Sequence, residues 1–136
     1  EELEERFVAA IDAAPEGTGP LALLLTAFGK APEVIRPREF LRERSAVIAA
    51  NPPLLERELV KQAALSQALI SALERRGVDP GTARLATDVG LAILRQASQR
   101  WMADEQADHS QLLNDSAADL FAILARHASG DTPREA

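Results

Sequence analysis

The run NPPLLERELVKQAALSQALISALERRGVDPGTARLATDVGLAILRQASQRW, residues 51–101, decides the fold. Pro52 and Pro53 cannot continue a helix, but they suit the first turn of a new one, where backbone N–H groups have no partner anyway. A proline also disfavours helical backbone in the residue before it, so one helix ends near residue 50 and Asn51 is placed to cap the next. Neither proline nor glycine then appears until Gly77, which suits the left-handed stop of a helix. The spacing predicts one helix over 52–76. Asp79-Pro80 repeats the cap-and-proline device and predicts another, reaching about Ala103.

The same punctuation extends in both directions. Upstream, Leu3, Phe7 and Ile11 recur four apart in a first helix over about 1–14, stopped by Pro15 and the turn Pro15–Gly19. A second helix begins near Pro20, carries Leu21, Leu24, Leu25 and Phe28, and closes at Gly29 and Pro32. A loop through Val34 and Ile35 leads to Pro37, which starts a third helix over Phe40, Leu41, Val47 and Ile48. Downstream, Asp108 and Gln111 have capping-box spacing and open a last helix that ends near Gly130, leaving 131–136 as a tail. Five to six helices with no strand-like alternation predict one all-α domain over 1–136.

Composition agrees. Aromatic residues are 4% of the 136, Tyr is absent, and alanine and leucine dominate, which favours helix because these side chains lose little freedom on entering one. A chain this long buries roughly two-thirds of its unfolded surface, enough for a core. The net charge of −6 repels a phosphate backbone, and no basic patch offsets it. Zero cysteines leave no disulfide framework or thiolate metal site and fit a reducing cytoplasm. No apolar run exceeds six residues (Leu120–Ala125; Leu21–Leu25 is five), far short of a membrane span, and no signal-peptide pattern is present. The chain opens on Glu1-Glu2-Leu3-Glu4-Glu5, which reads as helix interior and as part of something longer.

The helical faces raise three questions. In the fourth helix Leu55, Leu59, Gln62, Ser66, Leu69 and Leu73 form one stripe, with two polar residues in the middle of a leucine face. A buried polar group left unpaired costs ~1–3 kcal/mol, so Gln62 and Ser66 either find partners on neighbouring helices or line a cavity and orient a small molecule. Arg44, between Phe40, Val47 and Ile48, either meets a carboxylate of another helix, snorkels to the surface, or holds an acidic ligand group. The last two helices carry broad apolar arcs: Leu85, Ala86, Val89, Gly90, Ala92, Ile93, Leu94, Ala97 and Trp101, then Leu112, Leu113, Ala117, Leu120, Phe121, Ile123 and Leu124. Such width fits burial against both the chain's own core and a second copy, or a well-packed monomer core. The small residues Ala86, Gly90 and Ala97 permit close helix approach there.

Motifs for chemistry are missing. His109 and His127 lie about 27 Å apart along one continuous helix, too far to share a metal. His109 reads as a solvated helix-end residue, and Glu56 and Glu58 as surface acids. A Glu-x-x-His pair, a phosphate-binding glycine loop and a nucleophile elbow are all absent from the sequence. The expectation is a non-enzyme without metal or cofactor.

The order of these features resembles the C-terminal regulatory domain of TetR/AcrR-family transcriptional regulators. Carrying the resemblance are RERSAVIAANPPLLER at 42–57, ALERRG at 72–77, DPGTARLA at 79–86, ASQRW at 97–101, and the opening EELEERF at 1–7. It implies a homodimer in which the last two helices of each chain form a four-helix interface, involving Ala86, Gly90, Ile93, Ala97, Leu113, Ala117, Leu120, Phe121 and Leu124. It implies an effector pocket for a small apolar or amphipathic molecule, with Phe7, Ile11, Leu24, Phe28, Phe40, Arg44, Ile48, Leu59, Gln62, Ser66 and Trp101 placed near it by position. DNA would be bound only through a helix-turn-helix domain missing from this sequence. The alternative is a helical adaptor bundle that binds other proteins and has no small-molecule site.

Overall fold

The computed structural model describes residues 2–33 and 36–130 and is all-helical there. In chain order the elements are α1 (Glu2–Ala13), α2 (Pro20–Phe28), a 3-10 turn (Ala31–Glu33), α3 (Arg38–Ala50), α4 (Pro52–Arg75), α5 (Pro80–Ala103) and α6 (His109–Ala128). The loop expected through Val34 and Ile35 and the tail from Asp131 lie outside the described residues.

The starts and stops have local causes. Asp79 accepts a hydrogen bond from the Thr82 N–H at 3.1 Å, and Asp108 accepts one from the Gln111 N–H at 3.2 Å, so both cap the helices they precede. Gly77 takes φ +89°, while the N–H groups of Gly77 and Val78 bond the carbonyls of Glu74 and Leu73. Two orphaned carbonyls at the end of α4 are thereby satisfied. Asn51 departs from expectation. Its side-chain Nδ2 donates backwards to the Val47 carbonyl at 2.6 Å and makes no side-chain cap on α4. Pro53 removes one of the two N–H donors that a cap would serve and the other, of Leu54, bonds the Asn51 carbonyl, while the end of α3 still needs a donor.

The core gathers Phe7 and Ile11 from α1, Leu23, Leu24, Ala27 and Phe28 from α2, and Leu69, Ala72 and Leu73 from α4. Ala83, Ile93 and Ala97 from α5 join Leu113 and Ala117 from α6. The Phe7 and Phe28 rings meet edge to face at 5.0 Å. Burying a side chain of this size contributes roughly 1.5–3 kcal/mol, so this pair is a main source of cohesion between α1 and α2. α5 is the hub, packing on α2, α3, α4 and α6. Gly90 allows its closest approach: a Cβ there would lie 3.1 Å from Leu24 Cδ1 and 3.3 Å from both Leu24 Cβ and Phe28 Cε2. The small residue expected to serve a partner chain instead seats α2 on α5.

α3 contributes no buried side chain. It and the N-terminal half of α4 form a hairpin that leans away from the core. From Pro52 to Ala64, Leu54 and Glu58 are half-buried and every other residue is exposed.

Candidate functional site

Between the two arms of this hairpin lies an open groove of about 1000 Å³. Its apolar lining is Phe40, Val47 and Ile48 from α3 with Pro53, Leu54 and Val60 from α4; Glu43, Glu56, Arg57 and Lys61 also line it. The arms diverge from the Asn51–Pro53 corner, and each places apolar residues about two turns apart on the facing side (Phe40 and Val47, Pro53 and Val60) with charged residues on the turn between. Arg44 spans it, with Nη2 2.8 Å from Glu58 Oε2. This is the carboxylate partner on a neighbouring helix that the sequence allowed for Arg44, and it draws Glu58 out of the surface role expected for it.

Two arginines fix the hairpin and α1 to the body. Arg38, in the first turn of α3, donates from Nε to the Trp101 carbonyl at 2.7 Å and from Nη2 to the Ala107 carbonyl. Its guanidinium stacks over the Trp101 ring at 4.4 Å, a cation–π contact. Arg42 adds an ion pair to Glu105 at 3.1 Å. At the other end of α4, Arg76 donates to the carbonyls of Ile11, Asp12, Ala14 and Pro15 at 2.6–3.3 Å. These carbonyls lie in and just after the last turn of α1, which holds no basic residue; those of Ile11 and Pro15 also accept from Ala14 and Thr18. Arg76 therefore acts as the missing cap of α1. Sequence reading missed both clamps, although an α1 ending in Ala13-Ala14-Pro15 without a glycine or basic residue already implies an outside donor.

The residues expected to line a pocket fall into separate places. Phe40, Arg44 and Ile48 come together in the groove. Phe7, Ile11, Leu24 and Phe28 are 0% exposed and sit within the close-packed core. Leu59 and Gln62 are exposed and Ser66 half-buried, and none of the three lines the groove. The leucine stripe of α4 thus splits: Leu69 and Leu73 are buried, while Leu55 and Leu59 are open to solvent. Trp101 lies under Arg38 at the far end of α5, with the His109 ring edge-on at 5.8 Å. His109 is 2% exposed, so the solvated role expected for it does not hold.

The expected dimer residues also divide. Gly90, Ile93, Ala97, Leu113 and Ala117 are covered within the chain, and Ala86 and Leu120 are half-buried. Phe121 and Leu124 are about half exposed (48% and 53%), as is Ile123, and Leu85 on α5 is more exposed still. Leu113, Ala117, Leu120 and Leu124 follow one α6 stripe, which starts in the core and emerges on the surface where every residue from Phe121 to Gly130 is exposed.

Among the described residues no group of His, Asp or Glu side chains is arranged to hold a metal ion, and no helix is long and apolar enough to cross a membrane. A scan of the chain against protein-family models found no match, and a search of curated proteins found none either.

Proposed function

We propose that this chain is the effector-binding and dimerisation part of a TetR-type transcriptional regulator that works in the cytoplasm, with DNA contacts made by a helix-turn-helix domain outside this sequence. One observation carries the reading: the large apolar side chains left exposed are gathered, not scattered. Among the described residues Phe40, Val47, Leu55, Leu59 and Val60 lie on the α3–α4 hairpin, Phe121, Ile123 and Leu124 on the last turns of α6, and Leu85 on α5. Contiguous exposed apolar surface marks binding sites, whereas isolated exposed leucines need no explanation.

The two gatherings suit two occupants. The groove volume is at the upper end of the 300–1,000 Å³ typical of small-molecule sites, and its apolar floor with charged edges suits an amphipathic effector. The α6 face suits a second copy, since side chains on one helical stripe can pack against their symmetry mates in an antiparallel bundle.

Coupling follows from the clamps. An effector wedged between α3 and α4 changes the lean of α4, and Arg76 ties the end of α4 to the end of α1. An effector shifts the two arrangements only by its difference in affinity for them. The openness of the groove favours a second reading, an adaptor whose hairpin grips an amphipathic helix of another protein. A thermal-shift screen with lipophilic acids and neutral lipophiles separates the two. A hit lost in Val47→Asp supports the effector reading, and a broad library without hits supports the adaptor.

A further inference from the structure

The α5–α6 corner holds a cluster that the effector and dimer readings do not use. His109 is the first residue of α6 and is buried against the Trp101 ring; its Nε2 lies 3.4 Å from Ser98 Oγ, and its Nδ1 has no partner among the described residues. The opposing element is α3, through Arg38, whose guanidinium lies on the same indole and bonds two carbonyls of the corner. We propose that His109 is a proton-sensitive catch on this clamp: when its ring takes up a proton, Arg38 lets go of the corner and the α3–α4 hairpin swings free.

The argument is one of charge and of what is cheapest to move. A proton on His109 puts a buried cation against the same indole that Arg38 covers, which costs desolvation of the ring and adds repulsion from the guanidinium. It also makes both ring nitrogens donors, and Nδ1 has no acceptor among the described residues. Of the other groups at the corner, only the Asp108 carboxylate favours the charge. From α5 come the neutral Ser98 hydroxyl and the Trp101 indole; from the loop, Asp104 accepts from the Gln106 N–H and Glu105 is held by Arg42. Asp108, beside His109, is engaged in capping α6.

Burial pushes the His109 pKa below its ordinary 6.5; the Asp108 carboxylate pulls it back up in part, and Arg38 lowers it further. The strain can be relieved by moving either partner. His109 is anchored on a helix whose Leu113 and Ala117 lie in the core, whereas α3 has at most half-buried side chains and contributes none to the core. Release of α3 is the cheaper escape. The inference stands whether or not the chain is a TetR-type regulator.

Trp101 is the only tryptophan, so its emission reports on the corner directly. The test takes the 136-residue chain from about pH 7.5 to about pH 5, following the His109 ring by NMR, Trp101 emission, and amide exchange corrected for intrinsic pH dependence. The expected result is that α3 amides exchange at least tenfold faster once His109 is protonated, that emission follows the same titration, and that α5 and α6 stay protected. His109→Gln removes both responses. Arg38→Gln, which leaves the imidazole in place, gives fast α3 exchange already at neutral pH and so tests the clamp if the histidine variant does not fold. Unchanged α3 protection while His109 takes its proton overturns the proposal. So does simultaneous loss of protection in α3, α5 and α6.

Discussion

Replacing Gly90 with alanine should destabilise the protein, although the same change in most helices stabilises it. Alanine is ~1 kcal/mol better than glycine inside a helix, and Gly90 sits in the middle of α5. Against this, the new methyl would stand 3.1–3.3 Å from Leu24 Cδ1, Leu24 Cβ and Phe28 Cε2, several tenths of an ångström inside normal contact. Neither neighbour has room to give: both are 0% exposed, and the Phe28 ring is braced edge-on against Phe7. Overpacking of this kind costs ~1–3 kcal/mol, so the net change is a loss of about 1 kcal/mol. Gly81→Ala is the matched control, because its methyl meets only Asp79 Oδ2 at an ordinary 3.4 Å. Urea unfolding followed by circular dichroism should give a lower midpoint for the first variant, an unchanged or higher midpoint for the second, and the same slope for both. A raised midpoint for Gly90→Ala would refute the seating of α2 on α5. Unaltered stability with weakened self-association would return Gly90 to the dimer seam that the sequence suggested.

Arg76→Gln removes a charged donor shared by four carbonyls and should cost about 2 kcal/mol, with the fastest-growing amide exchange at the end of α1. Asp79→Ala should cost ~1 kcal/mol through loss of a true cap, and Asn51→Ala clearly less, because Asn51 does not cap α4; paired denaturation curves check the difference. Stability should fall with acidification in a window beginning near pH 6.5, because His109 takes up its proton more readily unfolded than folded. The loss ends below the folded pKa, where both states are protonated, and thermal melts across pH 5–8 against His109→Gln locate it.

Much of the fold could be read from the sequence because it is written in local chemistry. Asp79-Pro80, Asp108 and Gly77 act within a few residues of themselves, and the helix they bound, α5, ends at Ala103 as the spacing predicts. Residues whose role depends on distant partners were less legible. Gln62 and Ser66 look buried on a helical wheel, yet the wheel cannot tell that α4 leaves the body after Leu65 towards its N-terminus. Gly90 has the right face but the wrong partner, since periodicity gives the direction of a side chain and not the element it meets. Arg38 and Arg76 act on carbonyls more than 60 residues away, and main-chain acceptors carry no residue identity to search for. His109 is placed at a helix start, where exposure is the default, and is buried only because the α5–α6 loop folds it against Trp101.

The central claim is that the exposed α6 stripe is covered by a second copy. Sedimentation equilibrium at micromolar concentration tests it most directly: the account predicts twice the 14.6 kDa chain mass, with Leu124→Glu returning the protein to the mass of one helical chain. A single-chain mass for the unaltered protein, or a dimer indifferent to Leu124→Glu and Phe121→Glu alike, would contradict it.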